Sequence, residues 1–188
     1  MGNRCLFYMH MIPIYKPYIP QTSVEYVHDA LRSSWISSLG KYVDEATERI
    51  ANINNCKFVV LTNNGTSATH LLIKAVKRFN KDINRILVPS ACYVAPYNSL
   101  LYDGDNFNVE CVDLDLNTWN MSLNNIEEND IVYAVHNLGN IINVPEIKRK
   151  YGCTVIEDNC EGFFGGYEGM PSGCASLCSS LSFFACSM

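Results

Sequence analysis

Four consecutive residues, Asn64-Gly65-Thr66-Ser67, have the composition of a phosphate-binding turn. They follow a short β-branched run and precede a helical pattern. The free N–H groups of a helix start and the two hydroxyl groups therefore favour an anion site. A capped turn that holds no ligand has the same composition, because these residue types are common in turns and at helix starts. The turn by itself leaves both interpretations open.

Further candidates follow other predicted strands. Asp158 comes directly after an apolar run, where a buried carboxylate needs a partner such as a protonated heterocyclic nitrogen. Taken alone, a capping role is the more common explanation for such an aspartate. Tyr93 offers an aromatic face for stacking on a flat ring, although a core tyrosine is the commoner case. His136 and Glu161 belong to the same set, and a lone histidine there is more often structural than catalytic.

The elements that must position these residues alternate along the chain. Short apolar strands are expected at residues 57–62, 85–89, 109–113, 131–135 and 154–158. Helices are expected where apolar residues recur at helical spacing. The first such stripe is Val24, Val27 and Leu31, after the cap candidates Thr22 and Ser23, and the next two are Val43, Ala46, Ile50 and Ile53, and Ala68, Leu71, Leu72, Ala75 and Val76. Two further helices are expected at residues 92–102 and between Pro145, in the first turn, and Gly152, at the end. This alternation predicts an α/β fold, a mostly parallel sheet with helices on both faces. Ligands of such folds bind at the carboxyl ends of the strands.

The bulk composition restricts the class of protein. A net charge of −5 over 188 residues argues against nucleic-acid binding as the main function. No apolar run approaches the roughly 20 residues that cross a bilayer. The nine cysteines are irregularly spaced and lack a C-x-x-C pair or a histidine cluster, which favours free thiols over a zinc site. We therefore expect a cytoplasmic protein with no metal, no membrane segment and no nucleic-acid partner.

A phosphate-binding turn, a stacking ring and a carboxylate for a ring nitrogen are together what pyridoxal 5'-phosphate (PLP) requires. The chain resembles the DegT/StrS family of PLP-dependent nucleotide-sugar aminotransferases, which have the aspartate-aminotransferase type of fold. The similarity begins at residue 12 and reaches the last residue. Its motifs are "IPIYKPYIP", "SSWISSLGKYVDEATERIA", "NNGTSATHLLIKA", "ILVPSACYVAPYNSLLY", "VDLDLNTWNMS", "AVHNLGN" and "VIEDNCEGFFGGYEG", in the family's order.

The resemblance implies a role for each candidate. The implied cofactor-binding residues are Thr66, Ser67 and Ser182 at the phosphate, Tyr93 on the ring face, Asp158 at the ring nitrogen and Glu161 near the ring hydroxyl. The implied substrate-binding residues are Trp35, Ile36 and Ser37, with His136 as a further candidate. The implied partners are a keto-sugar nucleotide, such as a 4-keto-6-deoxy sugar, and glutamate as amino donor. Family members are homodimers, so a homodimer is expected here.

Position 187 departs from the family pattern. Five residues after the serine that matches Ser182, the family has a lysine that binds PLP covalently, whereas this sequence has Ser187. Near neutral pH a hydroxyl group can neither form that bond nor carry the proton that the amine transfers. We therefore expect no intact catalytic residue, a non-covalent hold on PLP, and no transamination by this chain alone.

The domain organisation follows from the same resemblance. Residues 1–10 are expected to be an extension, and residues 11–188 a PLP-binding large domain that is incomplete at its C-terminus and lacks the family's small domain. Two hypotheses remain at this stage. The chain is either the truncated, inactive large domain of a sugar aminotransferase, or a non-catalytic remnant that binds a partner subunit.

Overall fold

The computed structural model describes residues 16–80, 83, 85–104 and 107–183. The chain divides into two compact units between Ser37 and Ser38, and each is described by itself. The predicted boundary after residue 10 lies outside the described residues. Among the described residues, no helix is long and apolar enough to span a membrane.

In the described part of the first unit, residues 16–37, one helix is present, α1 (Gln21–Arg32), where the apolar stripe predicted it. The predicted caps are wrong. Pro20 is the N-cap, with an extended backbone and a carbonyl that accepts from the Ser23 N–H at 3.0 Å. Thr22 and Ser23 therefore lie inside the helix, because the fixed φ of proline already provides the turn into its first residues.

The second unit is built on a parallel sheet of five strands. These are β1 (Arg85–Pro89), β2 (Val109–Val112), β3 (Asp130–Val135), β4 (Thr154–Asp158) and β7 (Ser179–Ser180), in the order β2-β1-β3-β4-β7. Every neighbouring pair is parallel, so all carboxyl ends meet at one edge. A separate antiparallel hairpin joins β5 (Gly166–Tyr167) to β6 (Met170–Pro171). The four predicted strands from residue 85 onward are confirmed.

Four helices accompany the sheet: α2 (Lys41–Ile53), α3 (Gly65–Phe79), α4 (Val94–Leu101) and α5 (Val144–Tyr151). Gly152 ends α5 in the left-handed conformation at φ 67°, as its position after the pattern predicts. The predicted buried stripe of α3 is partly wrong. Its buried residues are Thr69, Leu72, Ile73 and Val76, and Leu71 is exposed.

Two apolar clusters lie on opposite faces of the sheet, because side chains alternate along each strand. One cluster combines Leu87, Val132 and Val155 with Val144 and Ile147 of α5. The other combines alternate strand residues with α3 and α4: Leu72, Ile73, Val76, Ile86, Val88, Leu100, Ile131, Tyr133 and Ile156. The predicted α/β fold with helices on both faces is therefore confirmed.

The predicted strand at residues 57–62 is wrong. This segment pairs with no strand among the described residues, and Phe58, Val60 and Leu61 are exposed. A β-branched composition favours an extended backbone, but a strand also needs a neighbour that completes its hydrogen bonds. The helix that follows nevertheless begins at Gly65, so the Asn64–Ser67 turn keeps its predicted place at a helix start.

Candidate functional site

The start of α3 lies against the segment that follows β7. Asn64 caps the helix, because its side-chain oxygen accepts from the Ser67 N–H at 2.8 Å. A Cβ atom added to Gly65 would lie 3.1 Å from the Cβ and 3.2 Å from the Oγ of Ser182. The same position is 3.6 Å from the Sγ of Cys160. Glycine at position 65 therefore allows the close approach of these three segments.

The helix start retains donors for an anion. Thr66 is exposed and Ser67 is half-buried, and neither hydroxyl contacts an acceptor among the residues that the structure describes. The dipole of this helix of 15 residues adds a partial positive charge at the same end. Asn64 caps the turn as the structural interpretation expects, and the turn still presents hydroxyl donors that an anion would need.

Asp158 is a buried carboxylate at the end of β4, with 6% of its surface exposed. Its Oδ1 accepts from the Cys160 N–H at 3.1 Å. Among the described residues, no lysine, arginine or histidine forms an ion pair with it. Burial raises the pKa of Asp158, and the hydrogen bonds from Cys160 offset only part of that effect. The carboxylate caps a local turn and still lacks a cationic partner.

Tyr93 lies on the loop after β1 and is the N-cap of α4. It is exposed by 72%, so the alternative of a core tyrosine does not hold. Its neighbour Cys92 has a pKa raised to about 12, first by burial and then by the charge of Asp158. The Asp158 charge therefore acts on the loop that carries Tyr93.

His136 is buried, and both of its ring nitrogens are used inside the protein. Its Nδ1 accepts from the Ile142 N–H at 3.2 Å, which places the ring proton on Nε2. Nε2 then donates to the Oε2 of Glu157 at 2.7 Å, and the Gly173 N–H donates to the same oxygen at 2.8 Å. Burial acts to raise the pKa of Glu157, but the hydrogen bond from His136 and its other donors outweigh it and lower that pKa. This arrangement favours the structural alternative for His136.

Glu161 contacts the turn that follows β3. Its Oε2 accepts from the Leu138 N–H at 2.6 Å. A short distance of this kind is typical of a charge-assisted hydrogen bond. The carboxylate that the resemblance places near a cofactor hydroxyl is therefore also in contact with the backbone of this chain.

The remaining substrate candidates, Trp35, Ile36 and Ser37, lie in the first unit. Trp35 and Ile36 are exposed by 63% and 72%. The Trp35 N–H donates to the Oγ of Ser33 at 3.3 Å, which holds the backbone directly after α1. Ser187 lies outside the described residues.

A buried hydroxyl group near the site was missed by sequence reasoning. Tyr133 is fully buried on the α3 face of the sheet, and burial together with the Asp158 charge raises its pKa well above the ordinary value of 10. Nearby, the Oγ1 of Thr69 donates to the Oγ of Ser180 at 3.4 Å. The available signal was a tyrosine inside an otherwise aliphatic strand, since a buried phenol needs a polar environment at its tip.

The fold defines an α/β class of protein whose candidate site lies where parallel strands end at one edge of the sheet. Residues 17–187 match the DegT/DnrJ/EryC1/StrS aminotransferase family, and the chain belongs to that family. It is 32% identical over 184 residues to GDP-perosamine synthase from Escherichia coli O157:H7, covering 94% of this chain and 50% of that protein. It is 28% identical to GDP-4-keto-6-deoxy-D-mannose 3-dehydratase from Escherichia coli O55:H7, covering 78% of this chain and 40% of that one.

Solved structures show the same fold. The dehydratase ColD with bound GDP-perosamine aligns at a TM-score of 0.78 and 22% identity, over 92% of this chain and 47% of that one. The PLP form of a sugar aminotransferase from Streptococcus pneumoniae aligns at 0.77 and 21% identity, over 93% and 49%. The chain spans about half the length of the curated GDP-perosamine synthases that it matches.

Proposed function

We propose that this chain provides a binding site for the phosphorylated pyridine ring of PLP or its amine form, pyridoxamine 5'-phosphate. The observation that carries the proposal is Asp158, a buried carboxylate with no cationic partner among the described residues, which is linked through Cys160 to the start of α3 and its unused donors. A protonated ring nitrogen would supply the missing charge. The donors of Thr66 and Ser67 suit the phosphate group.

The remaining residues complete the proposed site. Ser182 approaches Gly65 closely enough for its hydroxyl to join the phosphate donors. Tyr93 exposes an aromatic ring on the neighbouring loop, where it is available for stacking. When bound, the cofactor supplies an electron sink for reactions at an amine-bearing carbon. The protein binds and orients the ring, and Asp158 holds a proton at its nitrogen.

Position 187 sets the mode of binding. Ser187 stands at the position where the resemblance expects the lysine that binds PLP covalently. Because a serine hydroxyl does not replace that amine, we expect non-covalent binding and no transamination by this chain by itself. The family membership and the GDP-sugar relatives support a place in nucleotide-sugar biosynthesis. On that basis, we expect a keto-sugar nucleotide and glutamate as the substrates of the complete enzyme.

The proposal also includes a cytoplasmic location and a homodimer. All seven cysteines that the structure describes are free thiols, which suits the cytoplasm. The resemblance implies a homodimer, and sedimentation of the purified chain tests it. A stable monomer at high concentration would contradict a dimer.

Titration of the chain with pyridoxamine 5'-phosphate, followed by the fluorescence of the ligand, tests the binding site. Asp158→Asn removes the charge and keeps the shape, so we expect the affinity to fall by about tenfold or more, since hydrogen bonds to charged groups contribute about 1.5–3 kcal/mol. Asp44→Asn removes an exposed carboxylate of α2 and is the matched control, with unchanged affinity expected. Equal binding by the parent and Asp158→Asn chains would refute the proposal.

A further inference from the structure

The turn after β3 has an unusual backbone at Leu138. This residue has φ 54° and ψ 29°, the left-handed region that a branched side chain adopts at a cost. Its side chain is 80% exposed, so packing does not hold it there. Strain of this kind persists only where surrounding contacts impose it, and it concentrates at functional sites.

Glu161 provides that contact. Its carboxylate accepts the Leu138 N–H at 2.6 Å, and its backbone carbonyl would lie 3.3 Å from a Cβ added to Gly139. Gly139 is also left-handed, at φ 76°, and its N–H donates to the carbonyl of His136 at 3.2 Å. The segment after β4 therefore holds two consecutive left-handed residues of the turn after β3.

The turn also contacts the loop after β1. The side-chain amide of Asn137 donates to the carbonyl of Ala91 at 3.5 Å, two residues before Tyr93. At its start, the turn is fixed by the buried ring of His136. It thus lies between the loop that carries Tyr93 and the segment that carries Asp158 and Glu161, which are two walls of the proposed site.

We infer that Glu161 is a positioning residue whose carboxylate holds the His136–Asn140 turn in its left-handed conformation and so fixes the wall beside Tyr93. This role differs from direct contact with a cofactor hydroxyl, which the family resemblance implies. The consequence for ligand binding rests on the proposed function. The hold on the turn does not, because it involves this chain's own atoms alone.

Amide hydrogen exchange of Leu138 and Gly139, measured by NMR on the chain without ligand, tests the hold directly. Glu161→Ala should speed exchange at both amides by about tenfold, since a hydrogen bond to a charged group is lost. Glu161→Gln keeps an acceptor oxygen and should retain most of the protection. Glu48→Ala removes an exposed carboxylate of α2 and should change nothing at the turn. Unchanged exchange in Glu161→Ala would overturn the inference.

Rescue by a second substitution separates positioning from direct contact. Glycine adopts the left-handed conformation without steric cost, so Leu138→Gly lowers the cost of the turn and should let it form without the carboxylate. We expect Glu161→Ala to weaken pyridoxamine 5'-phosphate binding, and Glu161→Ala with Leu138→Gly to restore it. Failure of Leu138→Gly to restore binding would overturn the positioning role of Glu161 in ligand binding. If the parent chain does not bind this probe, the proposed function fails, and the exchange measurement still decides the role of Glu161.

Discussion

Two adjacent carboxylates at the end of β4 have opposite environments on the two faces of the sheet. Glu157, on the α5 face, accepts hydrogen bonds from His136 at 2.7 Å and from the Gly173 N–H at 2.8 Å, and its pKa is lowered despite burial. Asp158, on the α3 face, accepts from the Cys160 N–H, and burial raises its pKa. Glu157 therefore has two donors on its Oε2, although its Oε1 contacts no donor among the described residues, whereas the hydrogen bonds of Asp158 do not outweigh its burial.

This difference indicates different roles for the two carboxylates, stability for Glu157 and ligand binding for Asp158. A buried carboxylate with hydrogen-bond donors can be accommodated in the folded protein. A buried carboxylate without a cationic partner lowers the stability of the fold until a ligand supplies a positive charge. Perturbed carboxylates of the second kind cluster at functional sites. Glu157 therefore supports the fold on the α5 face, and the proposed cofactor site lies on the α3 face.

The largest expected effect comes from removing the partner of Glu157. His136→Ala leaves a buried carboxylate without its side-chain donor and should lower the free energy of unfolding by about 1.5–3 kcal/mol at neutral pH, as for the loss of a hydrogen bond to a charged group. Urea denaturation measures this loss. His28→Ala removes an exposed histidine of α1 and should change stability by less than about 0.5 kcal/mol.

The pH dependence of that loss has a defined sign. Because the folded-state pKa of Glu157 is lowered, its stabilisation is present above the ordinary value of 4.5 and is lost as pH falls through the folded-state pKa. The difference between the parent chain and His136→Ala should therefore shrink in acid. A difference that stays constant from neutral pH into acid would show that the loss comes from packing alone.

The neighbouring substitution should act in the opposite direction. Asp158→Asn removes a buried charge whose hydrogen bonds only partly offset its burial, so the ligand-free chain should become more stable at neutral pH. The folded-state pKa of Asp158 is raised, so its penalty is absent below the ordinary value of 3.8 and grows as pH rises toward the folded-state pKa. The two chains should therefore have equal melting temperatures in acid and diverge toward neutral pH. Lower stability of Asp158→Asn at neutral pH would contradict the comparison.

The sequence identified Asp158 as a candidate site residue but did not identify the role of Glu157. Asp158 was found because it is the last residue of the apolar strand 154–158, which the structure confirms. The pairing of Glu157 with His136 was not found, because it joins residues 21 positions apart and depends on the register of β3 against β4. Leu138 was also missed, because a left-handed leucine leaves no compositional signal. The segment 57–62 shows the reverse case, a composition typical of a strand without a neighbour to pair with among the described residues.

The smallest expected effect on stability comes from Gly65→Ala, at the close approach of Gly65 to Ser182. Gly65→Ala places a Cβ 3.1 Å from the Cβ of Ser182 and 3.2 Å from its Oγ, so Ser182 must shift by a few tenths of an ångström. Alanine is favoured over glycine in a helix by up to about 1 kcal/mol, and this gain opposes the cost of overpacking of about 1–3 kcal/mol. We therefore expect a modest loss of stability in urea denaturation.

Ligand binding should respond more clearly than stability to Gly65→Ala. Moving Ser182 away from the start of α3 disturbs the proposed phosphate donors, so the affinity for pyridoxamine 5'-phosphate should fall by about threefold to tenfold, as for the loss of about one hydrogen bond. In a Ser182→Gly background the added methyl group meets no side chain at position 182. In that background Gly65→Ala should change the affinity by less than about twofold, because the methyl group acts on binding through its contact with the Ser182 side chain, which is now absent. If Gly65→Ala weakens binding equally in both backgrounds, the methyl group blocks the ligand itself, and the contact with Ser182 does not set the geometry of the phosphate site.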